Sequence, residues 1–422
     1  MSSQAVAGTQ NGASNASQPA PGSLFGVPKY STQPRLIPDN GNEQVDFTQI
    51  TGSQKTAPTT KLDQLDIVVG EKLYISVTDT WTEGGGADVL QVSPFFPASI
   101  IQSITFKLQA AYNTFNLTGP LAAIIQNYRP MWGNRGVGQV RADAFAQPSN
   151  VTPPSLSGSA TDVNLAIDVP FAMRFDEYYD LSAQGDPQRK LYDAIVSPMY
   201  MAAQARVVTP QITAAPGITA QDLLGGPVSK RNADTTSTFT SEDGTLRIVR
   251  DAYWTASNPA ANPPQYPWLY TRDYFTQPTN GQGKVGCLIQ NTGISVGQVL
   301  SLFGFVWDPA GDSGFGAPVS FDDIDTFELV TGGSLQNILI TPAALTDKMR
   351  SMYANLPTDF PDGVFVFDFA MSEDGNAITN ANAINTYLVN GVQLNITFKP
   401  GVIPSSTAVV YMGVEALKLA TS

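Results

Sequence analysis

The chain has 422 residues, enough for two or three domains and a large core. Hydrophobic residues make up 42% of it and charged residues only 14%, against roughly 25% in an average domain, so Asn, Gln, Ser and Thr must supply the polar surface. The net charge of −13, with no basic cluster beyond the pair Lys230-Arg231, argues against direct nucleic-acid binding, a single cysteine excludes an intramolecular disulfide, and the absence of histidine removes the commonest general base and excludes zinc sites built from His and Cys.

Residues 1 to about 28 carry no charged side chain, and Lys29 is the first. This Ser-, Gln-, Ala-, Asn-, Gly- and Pro-rich stretch cannot bury enough apolar surface to offset its ordering. It predicts a flexible N-terminal arm over 1–44, with Leu24, Phe25 and Val27 as its apolar anchors. From about residue 45 strands dominate. Leu73, Ile75 and Val77 alternate with Tyr74, Ser76 and Thr78; Ile104, Phe106 and Leu108 with Ser103, Thr105 and Lys107; Val163, Leu165, Ile167 and Val169 with Asn164, Ala166 and Asp168. That period of two marks strands with one buried face. Between them Thr118-Gly119-Pro120 opens a short helix with Leu121, Ile124 and Ile125 inward. The Ala-, Gly-, Pro- and Thr-rich stretch from about 205 to 240 reads as a tower-like loop and the connection between two domains.

A second β-rich half is expected from near Thr245, with strands around Leu246 and Ile248, Val299 to Phe303, Leu335 to Ile340, Val392 to Phe398 and Val409 to Val414. Cys287 lies in the apolar run Val285 to Ile289 and is expected to be a buried, inert thiol. Thr341 is a candidate N-cap, Pro342 suits the first helical position, and Leu345, Met349, Met352 and Tyr353 share one helix face. Pro357 and Pro361 end that helix, and Asp362-Gly363 turns the chain into Val364-Phe365-Val366-Phe367, a strand apolar on both faces. Both halves thus run strands, one short helix, then more strands. Helices are too few for alternating β-α units, and 36 Gly with 31 Pro supply the turns of an all-β chain. No basic-then-apolar leader opens the chain, and no run approaches 18 apolar residues.

Motifs that could carry chemistry are weak. Gly311-Asp312-Ser313-Gly314 matches a serine-protease nucleophile segment, but that mechanism needs a histidine base. Phe175-Asp176-Glu177-Tyr178-Tyr179-Asp180 sets carboxylates among aromatics, as a glycosidase needs, yet adjacent strand positions face opposite ways. Asp322-Asp323-Ile324-Asp325 offers oxygen ligands without the spacing or glycine of a calcium loop. Asn116-Leu117-Thr118 and Asn395-Ile396-Thr397 are formal glycosylation sequons of the kind that occurs by chance. No catalytic, cofactor-binding or metal-binding residue is assigned.

The helix at 342–353 followed by Thr358-Asp359-Phe360-Pro361-Asp362-Gly363-Val364 resembles the second jelly roll of the double jelly-roll major capsid proteins of tailless, internal-membrane-containing (tectivirus-like) bacteriophages. Ser93-Pro94-Phe95-Phe96-Pro97 to Ile104 is similar to the family's lead into a first-domain strand, and Val409-Val410-Tyr411-Met412-Gly413-Val414-Glu415-Ala416 to its last strand. The chain departs from the pattern in its longer uncharged arm and its lack of histidine. The resemblance implies an all-β chain of two jelly-roll β-sandwiches side by side, each with a short helix, divided into an arm (1–44), a first roll (45–235) and a second roll with its tail (236–422). It implies homotrimers that act as pseudo-hexameric tiles of an icosahedral shell around an internal membrane and genome, inside a virion assembled in the host cytoplasm. Partners would be neighbouring trimers, vertex and minor capsid proteins, and lipid met by the arm, with no direct contact to nucleic acid. The competing expectation is a secreted β-sandwich carbohydrate-binding protein or glycoside hydrolase. It would use Trp254, Tyr266, Trp268, Tyr270 and Tyr274, which otherwise should pack a long loop of the second half.

Overall fold

The computed structural model describes residues 35–38, 43–46, 54–56, 60–61, 66–82, 90–91, 95, 98–108, 112–129, 155–156, 160–170, 173–174, 192–194, 207–214, 238–254, 268–289, 297–311, 316–332, 337–352, 361–370, 382–386 and 391–419. The first strands in chain order are β1 (Arg35–Pro38), β2 (Glu43–Asp46), β3 (Gln54–Thr56), β4 (Thr60–Lys61), β5 (Asp66–Thr82), β6 (Leu90–Gln91), β7 (Ile101–Leu108) and β8 (Tyr112–Leu117). After helix α1 (Gly119–Tyr128) come β9 (Ser155–Leu156), β10 (Ala160–Pro170), β11 (Met173–Arg174), β12 (Tyr192–Ala194), β13 (Val207–Ala214) and β14 (Thr238–Trp254). Then follow β15 (Trp268–Pro278), β16 (Lys284–Leu288), β17 (Gly297–Asp308), β18 (Ala317–Pro318), β19 (Ile324–Thr331) and β20 (Asn337–Ile340). Helix α2 (Pro342–Met352) leads to β21 (Phe365–Asp368), β22 (Ile384–Asn385), β23 (Val392–Phe398) and β24 (Val409–Leu419).

Two sandwiches share one winding. In the first, one sheet runs β1/β2-β14-β5-β10 and the other β3/β4-β13-β7-β8. In the second, the sheets run β15-β24-β17-β21 and β16-β23-β19-β20. With the main strands of each half counted one to eight along the chain, both halves give the orders 1-8-3-6 and 2-7-4-5, with the helix between strands five and six. That is the jelly roll, twice. The all-β expectation and the paired helices hold.

Three local expectations need correcting. Val207–Ala214, within the stretch read as a loop, is a strand paired to β7 from Val208 to Ala214. Its Pro210 sits opposite the break between β3 and β4, where the neighbouring edge is interrupted. Strand β14, read as the opening of the second half, pairs with β5 along its length and with β1 and β2, so its hydrogen bonds tie it to the first sandwich. Within the expected arm, Arg35–Pro38 and the start of Glu43–Asp46 are strand; Leu24, Phe25 and Val27 lie outside the described residues.

The helices form as their sequences dictate. Thr118 and Thr341 are the N-caps: the Leu121 N–H donates to Thr118 Oγ1 (3.4 Å) and the Ala344 N–H to Thr341 Oγ1 (3.3 Å). Gly119 is required because a Cβ there would collide with the Ala98 carbonyl oxygen. Gly363 turns the chain into β21 at φ +83°, a left-handed conformation that L side chains rarely adopt.

Candidate functional site: the junction between the sandwiches

The sheet that carries β17 is covered on both faces. On its inner face Phe365 and Phe367 meet Phe327 of the opposing sheet, with ring centroids 5.2 and 5.7 Å apart. On its outer face Phe303, Phe305 and Trp307 meet the first sandwich: Phe305 lies 4.3 Å from Phe95, Trp307 6.2 Å from Phe95, and Phe303 5.9 Å from Tyr128 of α1. Double burial explains why Val299 to Trp307 and Phe365 to Phe367 read as continuous apolar runs. It also explains α1, in which every residue but Asn127 is buried. By contrast α2 buries Pro342, Leu345, Met349 and Met352 and leaves its other face exposed.

One hydrogen-bonded sheet crosses the junction. β8 meets β15 in parallel at Phe115 and Arg272, joining both halves into one continuous sheet. Asn116 Nδ2 donates to Asp273 Oδ1 (2.8 Å), and Thr105 Oγ1 donates to Asn116 Oδ1 (3.1 Å). The helical turn of α1 then delivers Arg129 into the second sandwich.

There it meets a polar row. Arg272 on β15 lies opposite Glu415 on β24, Glu415 opposite Ser301 on β17, and Ser301 opposite Asp368 on β21. Residues in register share a face, so four neighbouring strands place these side chains side by side. All are sealed from solvent: Arg129 is 4% exposed, Arg272 1%, Asp368 6% and Glu415 0%. Arg129 Nη2 donates to Asp368 Oδ1 (2.7 Å) and its Nε to Glu415 Oε2 (3.1 Å). Arg272 Nη2 lies 3.7 Å from Glu415 Oε1 and donates to the Arg129 carbonyl (3.2 Å). Arg272 Nε donates to the Tyr270 hydroxyl (2.9 Å), which itself donates to Glu415 Oε1. Ser301 Oγ donates to Glu415 Oε2 (2.8 Å) and lies 2.9 Å from the Tyr128 hydroxyl.

Two guanidiniums against two carboxylates leave the cluster neutral, as a dry site demands. Burial alone would raise the Glu415 carboxyl, but Arg129, Arg272 and the two hydroxyl donors outweigh it and hold Glu415 below the usual range. Asp368 has Arg129 beside it and accepts from the Ala370 N–H; burial and the charge of Glu415 nevertheless leave it above its usual value. Burial drives the Tyr270 and Tyr128 hydroxyls up, so both stay protonated donors. The arrangement holds no substrate cleft. It locks one sandwich to the other.

The motifs singled out in the sequence are scattered. Residues 175–180 and 312–315 lie outside the described residues. Asp322 and Asp323 sit in a single helical turn capped by Ser320, whose Oγ accepts from the Asp322 N–H (3.0 Å). Burial and the charges of Asp322 and Asp362 raise Asp323. Among the described residues no group of three His, Cys, Asp or Glu is placed to hold a metal. Cys287 is buried as expected, and burial pushes its thiol up to about 12. Trp268, Tyr270 and Tyr274 do not pack a loop; they lie on strand β15, and Tyr270 is sealed against Glu415. Buried in that way, Tyr270 cannot offer its ring to a sugar. Sequence reading missed the ion cluster. Its signal was there in single charges set inside apolar runs, Glu415 after Met412-Gly413-Val414 and Asp368 after Phe365-Val366-Phe367.

The two sandwiches and their shared winding define a double jelly-roll protein. No protein-family model and no curated protein sequence matches the chain. Solved structures do: the STIV MCP, a viral major capsid protein, aligns over 92% of this chain and 97% of its own at 12% identity and a TM-score of 0.54. The atomic structure of Sulfolobus Turreted Icosahedral Virus includes a chain that aligns over 91% of both chains at 12% identity and a TM-score of 0.53. The chain therefore has the fold of double jelly-roll major capsid proteins.

Proposed function

We propose that the chain is a major capsid protein of the tectivirus-like type, which assembles as trimers that tile an icosahedral shell. The observation that carries this reading is the repeated jelly roll welded through α1 and Arg129. Two rigidly joined rolls make one chain a third of a six-roll tile. The composition supports it: with 14% charged residues, large lateral surfaces can be covered by other copies. We divide the chain into an arm ahead of β1, a first roll from β1 to β14 and a second from β15 to β24. The arm meets an internal membrane, and the charge of −13 suits a shell separated from the genome by lipid. The protein resides in the virion after assembly in the host cytoplasm and meets vertex and minor capsid proteins there. Its role is mechanical, and no residue is given a catalytic part.

Electron microscopy of the purified chain, alone and with lipid vesicles, tests the reading. Three-lobed tiles or closed shells are expected. Dispersed single chains that bind strongly on a glycan array would overturn it in favour of a carbohydrate-binding protein.

A further inference from the structure

Each jelly roll ends one sheet in its fifth strand, and the two fifth strands differ in one respect. In the first roll that strand is β8. It is covered by β15, the first strand of the second roll, and its Phe115 and Leu117 are fully buried. In the second roll it is β20. Among the described residues β20 has one neighbour, β19, and forms the end of its sheet. Ile338 and Leu339 on this edge are 43% and 67% exposed. An apolar edge strand left open in this way invites pairing with another chain. The helix beside it repeats the contrast. The outer surface of α1 is pressed against the second roll, whereas Ala343, Ala344, Asp347, Lys348 and Arg350 of α2 face solvent.

We infer that the β20 edge and the exposed face of α2 dock on the first roll of a second copy of this chain, at its β1/β2 edge. The contact between the rolls within one chain is thereby repeated between chains. This rests on the capsid reading and names the surface through which the tile closes. The receiving edge is the counterpart of β15: β1 and β2 form the first strand of the first roll and end its sheet beside β14, as β15 lies beside β24. A contact between unlike surfaces of identical chains propagates head to tail and closes into a ring when the rotation allows. Charge is complementary as well, since α2 carries Lys348 and Arg350 and β2 carries Glu43 and Asp46. The greater polarity of α2 relative to α1 fits a surface that stays wet in the free chain, whereas α1 is covered once the chain folds.

The test combines a charge on the edge with a covalent trap. Leu339→Asp should raise the concentration for half-assembly at least tenfold, as loss of a central apolar anchor does, with the circular dichroism spectrum unchanged. In a second variant Leu339→Cys is combined in turn with Leu36→Cys, Ile37→Cys or Val45→Cys. Mild oxidation should give covalent dimers and trimers on a denaturing gel for at least one pair, and the buried Cys287 stays silent. If Leu339→Asp fails to fold, the trapping result decides alone. A wild-type trimer whose assembly survives Leu339→Asp and which gives no covalent oligomer with any pair overturns the docking surface and spares the capsid reading. A wild-type chain that stays monomeric overturns both.

Discussion

Replacing Arg129 with alanine should uncouple the two rolls. The substitution removes the hydrogen bonds to Asp368 (2.7 Å) and Glu415 (3.1 Å) while both carboxylates stay buried. Glu415 retains Arg272, Tyr270 and Ser301, and Asp368 retains the Ala370 N–H. Removing one partner of a buried ion pair costs about 3–5 kcal/mol. For a cooperative unit of this size that lowers the melting temperature by roughly 6–20 °C. The loss should depend on pH with a definite sign. A carboxyl whose folded value lies above its unfolded one binds protons more tightly in the folded state, so stability falls as pH rises through the folded value. Asp368 is already raised, and without Arg129 both carboxyls rise further. The deficit of Arg129→Ala should therefore be larger at about pH 8 than at about pH 5. Thermal melts of the wild type and variant at both values measure it. Replacing the pair together, as Arg129→Met with Asp368→Leu, should recover part of the loss. A deficit under about 1 kcal/mol, or one that grows on acidification, would refute the cluster as the lock between the rolls.

Other outcomes follow from single residues. Gly363→Ala puts a side chain at φ +83° and a Cβ into the Val319 carbonyl oxygen, so it should cost more than the roughly 1–3 kcal/mol of backbone strain alone, read by denaturant titration. Thr341→Ala removes the cap of α2 and should cost about 1 kcal/mol in the same assay. Lys284→Ala breaks an exposed pair with Glu328 (2.8 Å) and should change stability by less than about 1 kcal/mol, a useful control for Arg129. Cys287, with its thiol pushed up to about 12, should resist thiol reagents at neutral pH in the native state and react fully once the chain is unfolded.

Local chemistry made much of the second roll legible. Thr341, Pro342 and the spacing of Leu345, Met349 and Met352 gave α2 nearly to its ends, because caps and periodicity are short-range. The run Val364 to Phe367 declared burial on both faces, and the structure supplies the two covers, Phe327 on one side and α1 with Phe95 on the other. Long-range pairing was not legible. Pro210 disguised β13 as loop, although the interrupted neighbouring edge tolerates it. β14 follows the Gly-rich stretch 225–226 and so read as a new beginning, yet its partners β1, β2 and β5 all precede it by well over a hundred residues. The ion cluster was hidden for the same reason. Arg129, Arg272, Asp368 and Glu415 are far apart in the chain, and only strand register brings them into one row. The aromatics of β15 suggested a sugar platform because sequence could not show that Tyr270 faces Glu415.

The mass of the purified chain in solution, by light scattering after size exclusion, tests the central claim most directly. The account predicts one stable species of about 135 kDa, three times the 45.0 kDa chain. A clean 45.0 kDa monomer at every concentration would contradict it.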